Sequence, residues 1–150
     1  GKSWFGEENV KDEYTCKVQK EAEKVRNKII FTGFVNPDKM PLMYQIADCL
    51  VVPSIWEEPF GVVALEGMAS GLPLIVTNSG GLPEIVNDKC AVIVNKEKDI
   101  VNNLTDEMNK MMINEAKAKK MGECARETVQ SNLEYDSRNY FGLFLKKTIG

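Results

Sequence analysis

Four short apolar runs, each a few residues long and set between helical stretches, most constrain how this chain can fold. They are Ile29–Thr32 before Gly33, Leu50–Ser54 stopped at Pro53, Leu74–Thr77, and Ala91–Val94. Each run is continuous rather than alternating, so each strand is expected to be covered on both faces. The segments between them read as helices. Residues 7–28 lack Gly and Pro and carry Glu and Lys at helical spacing, which predicts one surface helix. Residues 37–48 read as a short helix with an early proline, 60–70 as a helix ended by Gly71, and 82–87 as a short helical piece after the Ser79-Gly80-Gly81 turn. Three more helices are expected near 98–113, 115–131 and 136–148. Alternating strands and helices of this kind imply an α/β fold, a parallel sheet with helices on both faces.

Composition excludes several functions. The 150 residues suffice for one domain. The net charge of −3 does not suit binding nucleic acid by bulk charge. There is no histidine, so neither Ser-His-Asp nor Cys-His catalysis can operate within this chain. Cys16, Cys49, Cys90 and Cys124 are scattered without a C-x-x-C pair, which signals neither a zinc knuckle nor a disulfide framework. Cys49 and Cys90 sit in apolar runs and are expected to be buried thiols of a reducing compartment. No Asp-x-Asp occurs, and no metal site is expected. With neither a membrane-length apolar run nor a signal-peptide pattern at the start, the expected location is the cytoplasm.

Residues 53–84 concentrate the chemistry: five of the eleven glycines lie between positions 61 and 81. Open parallel sheets bind ligands beyond the carboxyl ends of their strands, and the loops 54–61 and 77–81 both leave a strand there. Pro59 fixes the backbone ahead of Gly61, which opens a helix. The amides of Gly61, Val62 and Val63 are candidate donors to a phosphate, with their own side chains packed away. Glu58 and Glu66, placed on one helix, would lie about 12 Å apart along its axis. They would not converge on one atom, but could grip the two ends of an extended ligand with an anionic middle, as in a nucleotide sugar. By spacing alone, Glu66 reads as a solvated helix residue. Glu57 and Glu58 read as charges at a helix start, and Gly80-Gly81 reads equally as a mere turn.

The text Pro53-Ser54, Glu58-Pro59-Phe60-Gly61, Glu66-Gly67-Met68-Ala69-Ser70-Gly71-Leu72-Pro73 and Gly80-Gly81-Leu82-Pro83-Glu84 closely resembles the retaining glycosyltransferases of family four, which have the GT-B fold. It is that family's E-x7-E motif with its usual flanks, and Phe31–Val35 and Met43–Asp48 resemble the upstream strand and helix of the same lobe. The resemblance implies a Rossmann-like C-terminal lobe that binds a nucleotide-sugar donor, with uridine diphosphate as the expected carrier. It assigns the ribose hydroxyls to Glu66 and the transferred sugar, near the reacting carbon, to Glu58. Backbone from Phe60 through Gly61 and Val62 to Val63 would line the sugar and phosphates, and Phe34 and Val35 would lie beside the base. Family members typically need no bound metal, and the leaving diphosphate is thought to help deprotonate the acceptor.

Two departures from the family pattern follow. The acceptor lobe precedes this one in the family, and so does a basic pair that clamps the diphosphate; neither is matched here. The chain is therefore expected to be cut from a longer enzyme whose acceptor is a glycan or lipid, with peripheral attachment to the inner membrane face open to the whole protein. Alone it is expected to bind nucleotide weakly and to transfer no sugar. The last helix, with Tyr140, Phe141, Leu143, Phe144 and Leu145, resembles the family's closing helix and reads equally as a core helix. A non-catalytic nucleotide-binding module completed by another chain is the alternative.

Overall fold

The computed structural model describes residues 13–25 and 28–131. The chain divides into two compact units, one ending at Lys39 and the other beginning at Met40. In the first unit, α1 (Glu13–Glu23) is followed by an irregular stretch and a 3-10 turn at Pro37–Lys39. Asn36 sets that turn: its Oδ1 accepts from the Asp38 amide at 3.0 Å, and its carbonyl accepts from the Lys39 amide at 2.8 Å. The helix ends at Glu23 rather than 28, and residues 7–12 and 26–27 of the expected span lie outside the described residues.

The expected strand Ile29–Thr32 is not one. These residues are irregular and pair with no strand among the described residues, and Ile29, Ile30 and Phe31 are exposed. Apolar content supplies the side chains of a buried strand, but only a hydrogen-bonded neighbour makes the ladder. Among the described residues the sheet is built from other segments.

The second unit runs α2 (Met40–Gln45), β1 (Leu50–Val52), α3 (Val62–Ala69), β2 (Leu74–Thr77), α4 (Leu82–Ile85), β3 (Ala91–Val94), α5 (Ile100–Ile113) and α6 (Glu115–Ser131). The expected helix over 136–148 falls outside the described residues. The three strands form a parallel sheet in the order β1-β2-β3, with Leu50 beside Leu74 and Leu74 beside Ala91. Central β2 is fully buried along its length, as its unbroken apolar text requires.

Alternate residues serve opposite faces. Val52, Leu74, Val76 and Ala91 join Ala64, Leu65 and Met68 of α3 and Leu82 and Ile85 of α4 in one core. On the other face Val51 and Val92 lie by Met111 of α5. Helix α3 is apolar around most of its circumference, because the sheet lies on one side and α6 on the other. Its C-terminal turn is closed by Arg126 of α6, which donates to the Ser70 carbonyl at 2.8 Å, a cation at the negative end of the helix. Leu65 is fully buried at the centre of this packing. We expect Leu65→Ala to destabilise the unit by about 2–5 kcal/mol, measured by urea unfolding; a loss under about 1 kcal/mol would show that the site collapses without leaving a cavity.

Candidate functional site

Because the strands are parallel, the loops that leave β1, β2 and β3 emerge at one end of the sheet, and side chains lock them together. Thr77 Oγ1 donates to the Ser54 carbonyl at 2.5 Å, and Ser79 Oγ donates to the Trp56 carbonyl. The Gly81 amide donates to the Glu58 carbonyl at 2.7 Å. The Gly80 amide donates to Glu57 Oε2 at 2.8 Å, and Lys96 Nζ pairs with Glu57 Oε1. The loop after β3 joins through the Lys96 amide, which donates to Asn78 Oδ1 at 2.7 Å.

Two glycines make this meeting possible. Gly80 has φ +51°, and a Cβ there would lie 2.1 Å from the Glu58 carbonyl oxygen. Only a residue without a side chain lets the β2 loop rest on the Glu58 backbone. Gly61 has φ +76° and precedes the first turn of α3, which no side chain caps. The Ala64 and Leu65 amides bond back to the Gly61 carbonyl. The Gly61, Val62 and Val63 amides are the earlier donors of that helix start.

Glu58 is half-buried, and its Oε2 accepts from Ser54 Oγ at 3.3 Å. It belongs to the loop, since α3 begins only at Val62. The expectation that both acids share one helix, with its rise of about 12 Å, is therefore corrected: the four residues from Glu58 to Gly61 precede the helix. Glu66 lies within α3 and is 6% exposed, so it is not a solvated helix residue. Its Oε2 accepts from the Tyr44 hydroxyl of α2 at 2.8 Å. Burying a carboxylate without such a bond would be costly. Phe60, Val62 and Val63 are all exposed, which overturns the expectation that the two valines pack. Ala64 and Leu65 of the same turn take the core-facing positions instead, both fully buried.

Phe34 and Val35 lie in the first unit, in its irregular stretch, with Phe34 exposed. Cys90 is buried as expected; Cys49 is only half-buried, and burial, with Asp48 beside it, pushes its thiol up to about 11. A groove of about 1050 Å³ lies at the opposite end of the sheet, at the amino ends of β1 and β2, lined by Cys49, Leu72, Pro73, Met108 and Met112 among others. It contains none of the residues expected at the site.

Sequence reasoning missed Glu57, Lys96 and Tyr44 as site-building residues. Tyr44 stood in a recognised stretch without a role, and Glu57 was hidden beside Glu58. Lys96 is 39 positions from Glu57, and nothing local announces the pairing.

A parallel sheet flanked by helices, with its strand-end loops gathered at the carboxyl end, is the architecture of the GT-B glycosyltransferases. Residues 5–128 match the family described as glycosyl transferases group 1, and the chain belongs to that family. It is 30% identical, over 94% of its length and 39% of the relative's, to the lipopolysaccharide 1,2-N-acetylglucosaminetransferase of Salmonella typhimurium. It superposes with a TM-score of 0.70 at 26% identity on the C-terminal domain of a group 1 glycosyl transferase family protein (LpcC) from Francisella tularensis, covering 79% of this chain and 62% of that one. It shares its fold, with a TM-score of 0.74 at 20% identity, with Anabaena Alr3699/HepE solved in complex with UDP-glucose, covering 97% of this chain and 37% of that one. The chain spans well under half the length of the curated relatives it matches. Among the described residues no helix is long and apolar enough to cross a membrane.

Two measurements check this geometry. Tyr44→Phe removes a bond to a buried acid and is expected to lower stability by about 1–3 kcal/mol, read by thermal unfolding at neutral pH. Lys96 and the Gly80 amide hold the Glu57 carboxyl below the usual glutamate value of 4.5. A lowered pKa means the pairing is fully present above that value and lost as pH falls through the lower one. Carboxyl-carbon NMR should show Glu57 titrating below 4.5 and returning upward in Lys96→Met; a midpoint unmoved by the substitution would contradict the pairing.

Proposed function

We propose that this chain is the C-terminal, donor-binding lobe of a retaining glycosyltransferase of family four, taking a uridine diphosphate sugar and serving a glycan or lipid acceptor in the cytoplasm. The observation that carries this reading is the convergence of the Glu58 loop and the Gly80-Gly81 loop beside the uncapped start of α3. It sets an acid, a row of helix-start amides and a second acid in sequence order along one stretch of chain. In this reading Glu58 orients hydroxyls of the transferred sugar. The amides from Gly61 to Val63 and the positive end of the helix meet the diphosphate and its growing charge as it leaves. Glu66, already set by Tyr44, accepts from the ribose hydroxyls. No step requires a histidine: the catalysis is positioning and charge stabilisation. Membership of the group 1 family and the solved C-terminal domain of another member support the placement.

Calorimetric titration of UDP-glucose into the chain tests the reading. Weak binding is expected, and Glu66→Ala should lower the affinity about tenfold or more, the equivalent of one lost hydrogen bond to a charged group. Absence of binding, or binding that Glu66→Ala leaves unchanged, would overturn it.

A further inference from the structure

Glu57 and Lys96 take no part in the donor contacts described above, yet between them they touch all three strand-end loops. From the β1 loop Glu57 reaches to the other two: one carboxylate oxygen takes the Gly80 amide, the other the Lys96 ammonium. Lys96 is anchored at both ends. Its amide is bonded to Asn78 in the β2 loop, and its Nζ lies 3.4 Å from Ser79 Oγ as well as against Glu57. The Lys96 side chain is only 15% exposed, whereas that of Glu57 is 75% exposed. A lysine whose head is drawn under an exposed acid is held by its partners rather than by water. The residues on either side of these bonds are the ones the donor site uses. Glu57 precedes Glu58, and Gly80 lies against the Glu58 backbone.

We infer that Glu57 and Lys96 are a positioning pair that straps the Glu58 loop to the Gly80 loop and so fixes the geometry in which Glu58 and the start of α3 meet a nucleotide-sugar donor. This rests on the donor reading above. The pair has a second consequence: Lys96 neutralises Glu57, the acid nearest Glu58 in the chain. An anionic diphosphate therefore approaches a mouth with one fewer uncompensated negative charge.

The test is a double-mutant cycle on the whole chain with UDP-glucose as the probe, read by calorimetry together with NMR exchange of the Gly80 amide. Lys96→Met and Glu57→Ala are each expected to weaken binding about threefold, in the range of a partly exposed ion pair. The double variant should be no worse than either single one, because the residues act as a unit. Lys96→Arg should restore affinity, which a purely steric role of the lysine stem would not predict. Additive losses, or full affinity in Lys96→Met, would overturn the pair. Should the unaltered chain not bind UDP-glucose, the donor reading fails on its own, and the strap is judged by Gly80 alone. Several-fold faster amide exchange in Lys96→Met upholds it as a loop-positioning device, and unchanged exchange removes it.

Discussion

The close approach of Gly80 to the backbone of Glu58 is the contact on which the candidate site depends. Two loops leaving neighbouring parallel strands ordinarily stand a strand spacing apart, about 4.8 Å. Here the β2 loop lies so near the β1 loop that a single methyl group at position 80 would meet the Glu58 carbonyl at 2.1 Å. That contact lets the Gly81 amide reach the Glu58 carbonyl and the Gly80 amide reach the Glu57 carboxylate. Both bonds then limit where Pro59 and Gly61 can lead the chain into α3. The direction of the helix start and the placing of Glu58 are thus set by backbone proximity first and by side chains second.

The second acid is governed by different physics. Glu66 is the charged residue in an eight-residue helix that is otherwise apolar, and only 6% of it is exposed. A carboxylate there is tolerated because α2 delivers the Tyr44 hydroxyl to it; a hydrogen bond to a charged group is worth about 1.5–3 kcal/mol. A hydrophobic residue at position 66 would serve packing at least as well. Under the proposed donor reading, an acid in that position accepts from a ligand's hydroxyls with its geometry already fixed by Tyr44. Preorganisation of this kind lowers the ordering cost of binding.

Much of this was legible in the text, for reasons that differ by element. Leu50–Val52, Leu74–Thr77 and Ala91–Val94 announce themselves because a strand buried on both faces must be apolar throughout, and each is bounded by residues that stop it. Ile29–Thr32 has the same composition and is no strand, because strand formation belongs to the pair and not to the segment. Glu58 and Glu66 were legible only through their flanks; their spacing alone pointed to a solvated Glu66 and to a shared helix, and the structure shows neither. The start of α3 falls two residues later than its pattern suggested, since Gly61 in the left-handed region serves as the turn into the helix. Glu57 and Lys96 were illegible, because their pairing depends on which loops the topology gathers at one end of the sheet.

Three acids within ten positions have three separate fates, and the local environment decides each. Glu57 is exposed and answered by an ammonium and an amide. Glu58 is half-buried, with a serine hydroxyl at 3.3 Å, near the upper limit of a useful bond. Glu66 is buried on a tyrosine hydroxyl. An ion pair on an exposed acid contributes little to global stability in water, so the Glu57–Lys96 contact cannot be what holds the fold; the buried faces of α3 and β2 do that. Its influence must instead be local, exerted on the loops it joins. Those loops have few buried apolar contacts of their own and would otherwise sample many arrangements. The sheet and α3 thus supply rigidity in the interior, while a network of hydrogen bonds supplies it at the strand ends, where hydrophobic packing does not reach.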